Sequence, residues 1–222
     1  MAKIIPVINV KTSKDFFATM GKLGEYTGWI QIDVADGKFT NWKNLTDPSR
    51  INDKQMPSKN SKKYMFELHL MVKNVEEAMA KWLHLKPRRI IVPVEIKNDF
   101  PALAKWAKEF KGEIGLAVNP STLNSTVLET LKPNINNIDL LLILGVNPGP
   151  SGQSFDTMIL ERIKYFHKLF PNLKIEVDGG INEDNIKAIF KAGASLAAVG
   201  SAIFERQEKP LIRIQMLENL IS

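Results

Sequence analysis

What most constrains the fold of this chain is a recurring pattern rather than a recurring word. Short apolar, β-branched runs alternate with amphipathic stretches from one end of the 222 residues to the other. The runs read as strands at Lys3 to Val10, Trp29 to Val34, Tyr64 to Leu70, Arg89 to Val94, Glu113 to Val118, Ile138 to Leu144, Leu173 to Val177 and Leu196 to Val199. Between them, helical periodicity covers Ser13 to Leu23, Val75 to Leu85, Asp99 to Phe110, Thr122 to Leu131, Phe155 to Phe170, Glu183 to Ala192 and Lys209 to Leu220; the second connection is only weakly helical. Runs such as DLLLILGV and RRIIVPV are apolar at nearly every position, which a strand needs when helices cover both faces of a parallel sheet. Eight evenly spaced units, with no G-x-G-x-x-G turn after the first strand, predict closure into a barrel rather than an open doubly wound sheet. The expectation is an α/β protein, a single (β/α)8 TIM barrel with a parallel eight-stranded core, spanning residues 1–222 as one domain.

Composition narrows the partners. A hydrophobic content of 44% supports a large core, and the absence of cysteine removes disulfides, thiolate nucleophiles and thiolate metal sites. No apolar run is long enough to cross a bilayer, and MAKIIPVINV lacks the pattern of a signal peptide, so a cytoplasmic protein with no membrane partner is expected. Thirty Lys and Arg against 24 Asp and Glu leave a net charge of +6. The densest basic pieces, KNSKKYM and KPRRI, lead into strands and belong at the N-terminal end of a barrel, away from its site; without stacking aromatics or a recognition helix, no nucleic-acid partner is expected.

Candidate chemistry collects at strand ends. Asp33 in WIQIDVADG and Asp178 in KIEVDGG each sit where a strand stops, the position from which a barrel side chain reaches the loop-lined face. Two carboxylates on separate strands can approach one carbon from opposite sides. For either aspartate alone, a turn or helix cap is the simpler reading. GVNPGPSGQSF, DGGIN and VGSAIF place Gly or Ser where the chain leaves strands six, seven and eight, so that backbone N–H groups can approach an anion. One such segment is merely a turn; three in succession form the order a barrel phosphate site needs.

IDVADGKF, LHLMV, GLAVNPST, VNPGPSGQSF, IEVDGGIN and VGSAIF, in that order, resemble the ribulose-phosphate 3-epimerases from the second strand to the eighth. The resemblance implies a (β/α)8 barrel and inversion of C3 in a ketopentose 5-phosphate, interconverting D-ribulose 5-phosphate and D-xylulose 5-phosphate in the pentose phosphate pathway. It implies Asp33 as base and Asp178 as acid when ribulose phosphate is the substrate. His69 and Met71 would flank the substrate, and Gly149, Ser151, Gly152, Gln153, Gly179, Gly180, Gly200 and Ser201 would bind it and its phosphate. It further implies a divalent metal, zinc, iron, manganese or magnesium, on Asp33, His69 and Asp178. Homo-oligomer formation is left open.

The departures concern the same site. Gln31 stands where the family carries a second metal-binding histidine. Its carbonyl oxygen suits hard ions better than zinc, its N–H could instead donate to a developing oxyanion, or the centre could bind without catalysing. Val7 and Val10 stand where the family has serines and cannot supply those hydroxyls, a part left to Asn9; Ala35 and Leu144 stand where it has methionines, and no histidine accompanies Pro93. A phosphosugar-binding barrel with altered or lost catalysis, or an epimerase of a related ketose phosphate, are therefore alternatives. Ser151 has no G-x-S-x-G setting and is not read as a nucleophile. His84 and His167 read as surface or partly packed residues, Trp29, Trp82 and Trp106 as core, and Trp42 as lid or packed loop aromatic.

Overall fold

A computed structural model describes residues 4–51, 64–150 and 152–222. Ser151 and most of the KNSKKYM run lie outside the described residues. Eight parallel strands close in sequence order: β1 (Ile4–Ile8), β2 (Gly28–Ala35), β3 (Tyr64–Met71), β4 (Arg89–Pro93), β5 (Glu113–Val118), β6 (Leu140–Leu144), β7 (Lys174–Asp178) and β8 (Leu196–Val199), with β8 returning to β1. Closure leaves no strand edge unpaired. The helices are α1 (Ser13–Lys22), α2 (Val75–Trp82), α3 (Phe100–Glu109), α4 (Asn124–Asn134), α5 (Ile159–Leu169), α6 (Ile186–Lys191), α7 (Ser201–Phe204) and α8 (Pro210–Leu220).

Strand alternation divides the apolar residues into two cores. Ile30, Ile32 and Val34 of β2, Leu68 and Leu70 of β3 and Ile175 and Val177 of β7 face outward and pack with helix residues such as Phe16, Met79, Trp82 and Phe166. Ile5, Ile91, Ala117, Leu140, Leu142, Leu144 and Leu196 fill the barrel interior, joined by Trp29. Each fully buried aliphatic side chain contributes about 1.5–3 kcal/mol, so this double burial fixes the register. Once it is fixed, the interleaved residues of β2, β3 and β7 must point into the barrel: Gln31 and Asp33, Glu67 and His69, Glu176 and Asp178.

Helix starts carry the expected caps. Thr12 Oγ1 accepts the Asp15 N–H, Asn74 Oδ1 the Glu77 N–H and Asp99 Oδ1 the Ala102 N–H. The two largest departures from the periodicity at helix starts are late ones. The α5 helix starts at Ile159 rather than Phe155 because Phe155 packs against Gly145 and Gly180, and the Asp156 N–H donates to the Gly145 carbonyl. The α6 helix starts at Ile186 rather than Glu183, since Asn185 turns back to bond the Asn182 N–H and the Gly180 carbonyl. The one-turn α7 was not anticipated. Among the described residues, no helix is long and apolar enough to cross a membrane.

Candidate active site

The C-terminal ends of β2, β3 and β7 bring four polar side chains to one point inside the barrel. Parallel pairing sets Asp33 beside His69 and Leu144 beside Asp178, so acidic groups 145 positions apart in sequence reach a common space. The Gln31 Nε2 donates to Asp33 Oδ1 at 2.9 Å and to Asp178 Oδ2 at 2.7 Å. His69 Nδ1 faces the same two oxygens at 3.4 and 3.5 Å, ion-pair distances at which it lacks a hydrogen-bond partner. Two nitrogens and two oxygens thus form a closed ring, with all four residues buried.

That crowding perturbs the titrating groups. Burial and the neighbouring Asp178 charge hold Asp33 above the usual carboxylate range, against the opposing influence of His69 and Gln31. For His69, burial alone would lower the pKa, but the facing carboxylates override it and push it up to about 9. The ligand-type atoms of Asp33, His69 and Asp178 all lie within 4.8 Å of one another, close enough to hold one metal ion. Two buried atoms here have no hydrogen-bond partner, His69 Nδ1 and Gln31 Oε1. His69 Nδ1 is a metal donor within that group, so the set of one imidazole nitrogen and two carboxylates fits a divalent cation.

Asp33 and Asp178 open onto a cavity of about 240 Å³, with His69, Met71, Gly149, Gly152, Gln153, Gly179, Gly180, Gly200 and Ser201 in its lining. Gln31 lies beneath them, fully buried. At Gly179 and Gly180 the backbone has φ of +102° and +68°, and an added Cβ would stand 2.4 Å from Val146 Cγ2 or 2.5 Å from the Phe155 nitrogen. Only glycine lets the chain turn away from β7 so tightly. The Gln153 side chain braces its own loop, donating to the Asn147 and Pro150 carbonyls at 2.9 and 3.0 Å.

One positioning group escaped notice in the sequence. Asn44, buried in the loop after β2, accepts the Ala35 N–H at 2.6 Å and donates to the Asp33 carbonyl at 2.9 Å, which pins the strand end carrying Asp33. The Asn44 amide also reaches Asn9 Oδ1, and the Asn9 amide donates to the Gly149 carbonyl at 3.2 Å. The only sequence cue for Asn44 was an asparagine in a polar loop. Trp42 is a packed loop aromatic, its indole N–H 3.4 Å from Asn9 Oδ1 and Lys11 stacked on its ring.

A model of the ribulose-phosphate 3 epimerase family matches residues 8–204. Relatives named ribulose-phosphate 3-epimerase include those of Buchnera aphidicola, 34% identical over 79% of this chain and 76% of that one, and Aquifex aeolicus, 31% identical over 79% and 77%. The Schizosaccharomyces pombe protein of that name is 27% identical over 93% of this chain and 88% of its own. Among solved structures, 3-hexulose-6-phosphate synthase from Salmonella typhimurium superposes with a TM-score of 0.67 at 14% identity, covering 99% of this chain and 98% of that one. An orotidine 5'-monophosphate decarboxylase from Sulfolobus solfataricus gives 0.63, also at 14%, over 100% and 98%. These two likenesses show the barrel fold. With most of its length matched by the family model, the chain belongs to the ribulose-phosphate 3-epimerase family.

Proposed function

We propose that this chain is an epimerase that inverts C3 of a ketopentose 5-phosphate, interconverting D-ribulose 5-phosphate and D-xylulose 5-phosphate. The observation that carries the reading is the meeting of Asp33 and Asp178, from strands far apart in the sequence, at one nitrogen of Gln31 beneath a cavity of about 240 Å³ onto which both carboxylates open. Inversion beside a ketone needs a base on one face of the carbon and an acid on the other. Starting from ribulose phosphate, the Asp33 carboxylate takes the C3 proton and the C3–H electron pair moves to form an enediolate with charge on the C2 oxygen. Protonated Asp178 then delivers its proton to the opposite face, and the electron pair returns to C3. The elevated pKa of Asp33 suits a group that must hold the proton between the two steps.

Asp33, His69 and Asp178 are the residues that would hold a divalent cation, which when bound supplies positive charge against the enediolate oxygen. His69, whose Nδ1 is presented to both carboxylates, also keeps them from repelling each other when no cation is present. The glycine-bearing turns after β6, β7 and β8 are read as the phosphate cradle, with Gly149, Gly152, Gly179, Gly180, Gly200 and Ser201 presenting backbone atoms and Met71 covering the reacting end. The same reading takes residues 1–222 as one barrel domain acting on a phosphorylated ketose in the cytoplasm. Chelator-treated protein mixed with ribulose 5-phosphate, alone and with added manganese, zinc or ferrous iron, should yield xylulose 5-phosphate detectable by NMR. Binding of the phosphosugar without any product under all conditions would leave the barrel as a binding protein and overturn the proposal.

A further inference from the structure

We propose that Gln31 is a two-position residue of the cation site. With its NH2 toward the carboxylates it stands in for an ion, and with the amide turned about its last bond its Oε1 becomes a donor to a divalent cation. The inference rests on the cation reading given above and deepens it. A fully buried amide offers two different ends to its surroundings, and here only one end is satisfied. The Nε2 bridges Asp33 Oδ1 and Asp178 Oδ2, a task a cation would perform, while Oε1 is buried without a partner. Leaving a buried carbonyl oxygen unpaired is costly. The two ends of an amide are alike in shape, so a half-turn exchanges them without moving the strand. After the exchange, Oε1 lies where Nε2 now meets both carboxylate oxygens, a place that is favourable for an oxygen only with a cation there.

Two consequences distinguish this from a simple clamp. Cation entry displaces the NH2 from both carboxylates, so the two lost hydrogen bonds offset part, and not all, of what Oε1 adds as a fourth ligand. The occupied site would hold oxygen donors from Asp33, Asp178 and Gln31 against one nitrogen from His69, which favours hard ions such as manganese or magnesium over zinc.

The test follows the amide itself. In protein labelled with nitrogen-15 and stripped by chelator, the Gln31 side-chain NH2 pair is assigned by its loss in Gln31→Leu, and Mg2+ is then titrated in. The expected result is a shift of that pair on saturation, together with Mn2+ affinity, read by electron paramagnetic resonance, about tenfold weaker in Gln31→Leu. Gln31→His should shift preference toward Zn2+ over Mn2+ by about tenfold or more. Should Gln31→Leu fail to fold, Gln31→Met serves the same comparison, and the wild-type NH2 signals report independently. NH2 signals unmoved at saturation, with Mn2+ bound as tightly without the amide as with it, would overturn the inference and leave the cation site standing. Failure of wild type and Gln31→His alike to bind any of these ions would remove the cation reading as well.

Discussion

Two buried polar clusters lie inside one barrel, and they are built on opposite terms. Near the N-terminal ends of the strands, Arg89 donates from Nη1 to Glu67 at 2.5 Å and to Glu176 at 3.3 Å. Its Nε and Nη2 go to Glu113 at 2.9 and 2.7 Å, while Lys174 adds a bond to Glu113 and the Trp29 ring lies 4.3 Å from the guanidinium. One planar cation thereby serves three carboxyl groups and an aromatic face. At the other end, two carboxylates share one amide nitrogen and one imidazole, with donor atoms left over and a cavity above them. The first cluster satisfies its cation through its own residues, with Glu67 Oε1 and Glu176 Oε1 left unpartnered and packed away from any cavity mouth. The second is organised to take in something from outside, and its cost in stability is what gives it chemistry.

Substitutions should separate the two ends. The largest effect is expected at the mouth: Asp33→Asn or Asp178→Asn should lower kcat by roughly 10²–10⁴-fold while leaving the melting temperature unchanged or raised, as measured by NMR assay and thermal unfolding. Equal loss of fold and activity would erase the contrast. Next comes Arg89→Met, which leaves buried carboxylates without their cation and should cost about 3–5 kcal/mol in urea unfolding, with kcat per folded molecule little changed.

Acidity gives a third, smaller separation. His69 has its pKa raised from 6.5 to about 9 in the fold, so its protonation adds stability that is fully present below pH 6.5 and lost as pH rises through about 9. Chelator-treated protein should therefore lose up to about 3 kcal/mol across that window, and His69→Gln should flatten the slope. An unchanged slope in the variant would show that the imidazole is not held charged by the two aspartates. The smallest effect is predicted for Glu176→Gln. Burial, and then the nearby Glu67 charge, raise the Glu176 pKa well above 4.5, which favours its neutral acid form. An uncharged amide of the same shape should shift stability by less than about 1 kcal/mol near neutral pH.

How much of this could be read beforehand depended on whether the information was local. Strand positions were legible because burial on both faces writes an unbroken apolar run, and β5 and β8 came out with the expected bounds. Asp33, His69 and Asp178 were legible because each stands at a strand end within a distinctive string, and the barrel assembles them in the expected place. Arg89 was not, since in KPRRI it looked like one more surface cation. Only the strand register turns it inward while Arg88 remains outside the strand. The orientation of Gln31 was equally hidden, because it is decided by Asp178, which is 147 positions away. Helix starts at α5 and α6 were misjudged where packing around glycine turns prevailed over periodicity.

The central claim is that Asp33 and Asp178 act on opposite faces of one carbon, and hydrogen exchange in the Asp178→Asn protein tests it most directly. With ribulose 5-phosphate in deuterated water, that variant should still wash deuterium into C3 through Asp33 while forming almost no xylulose 5-phosphate, and Asp33→Asn should do neither. Xylulose 5-phosphate formed at the wild-type rate by Asp178→Asn, or C3 exchange persisting in Asp33→Asn, would contradict the assignment.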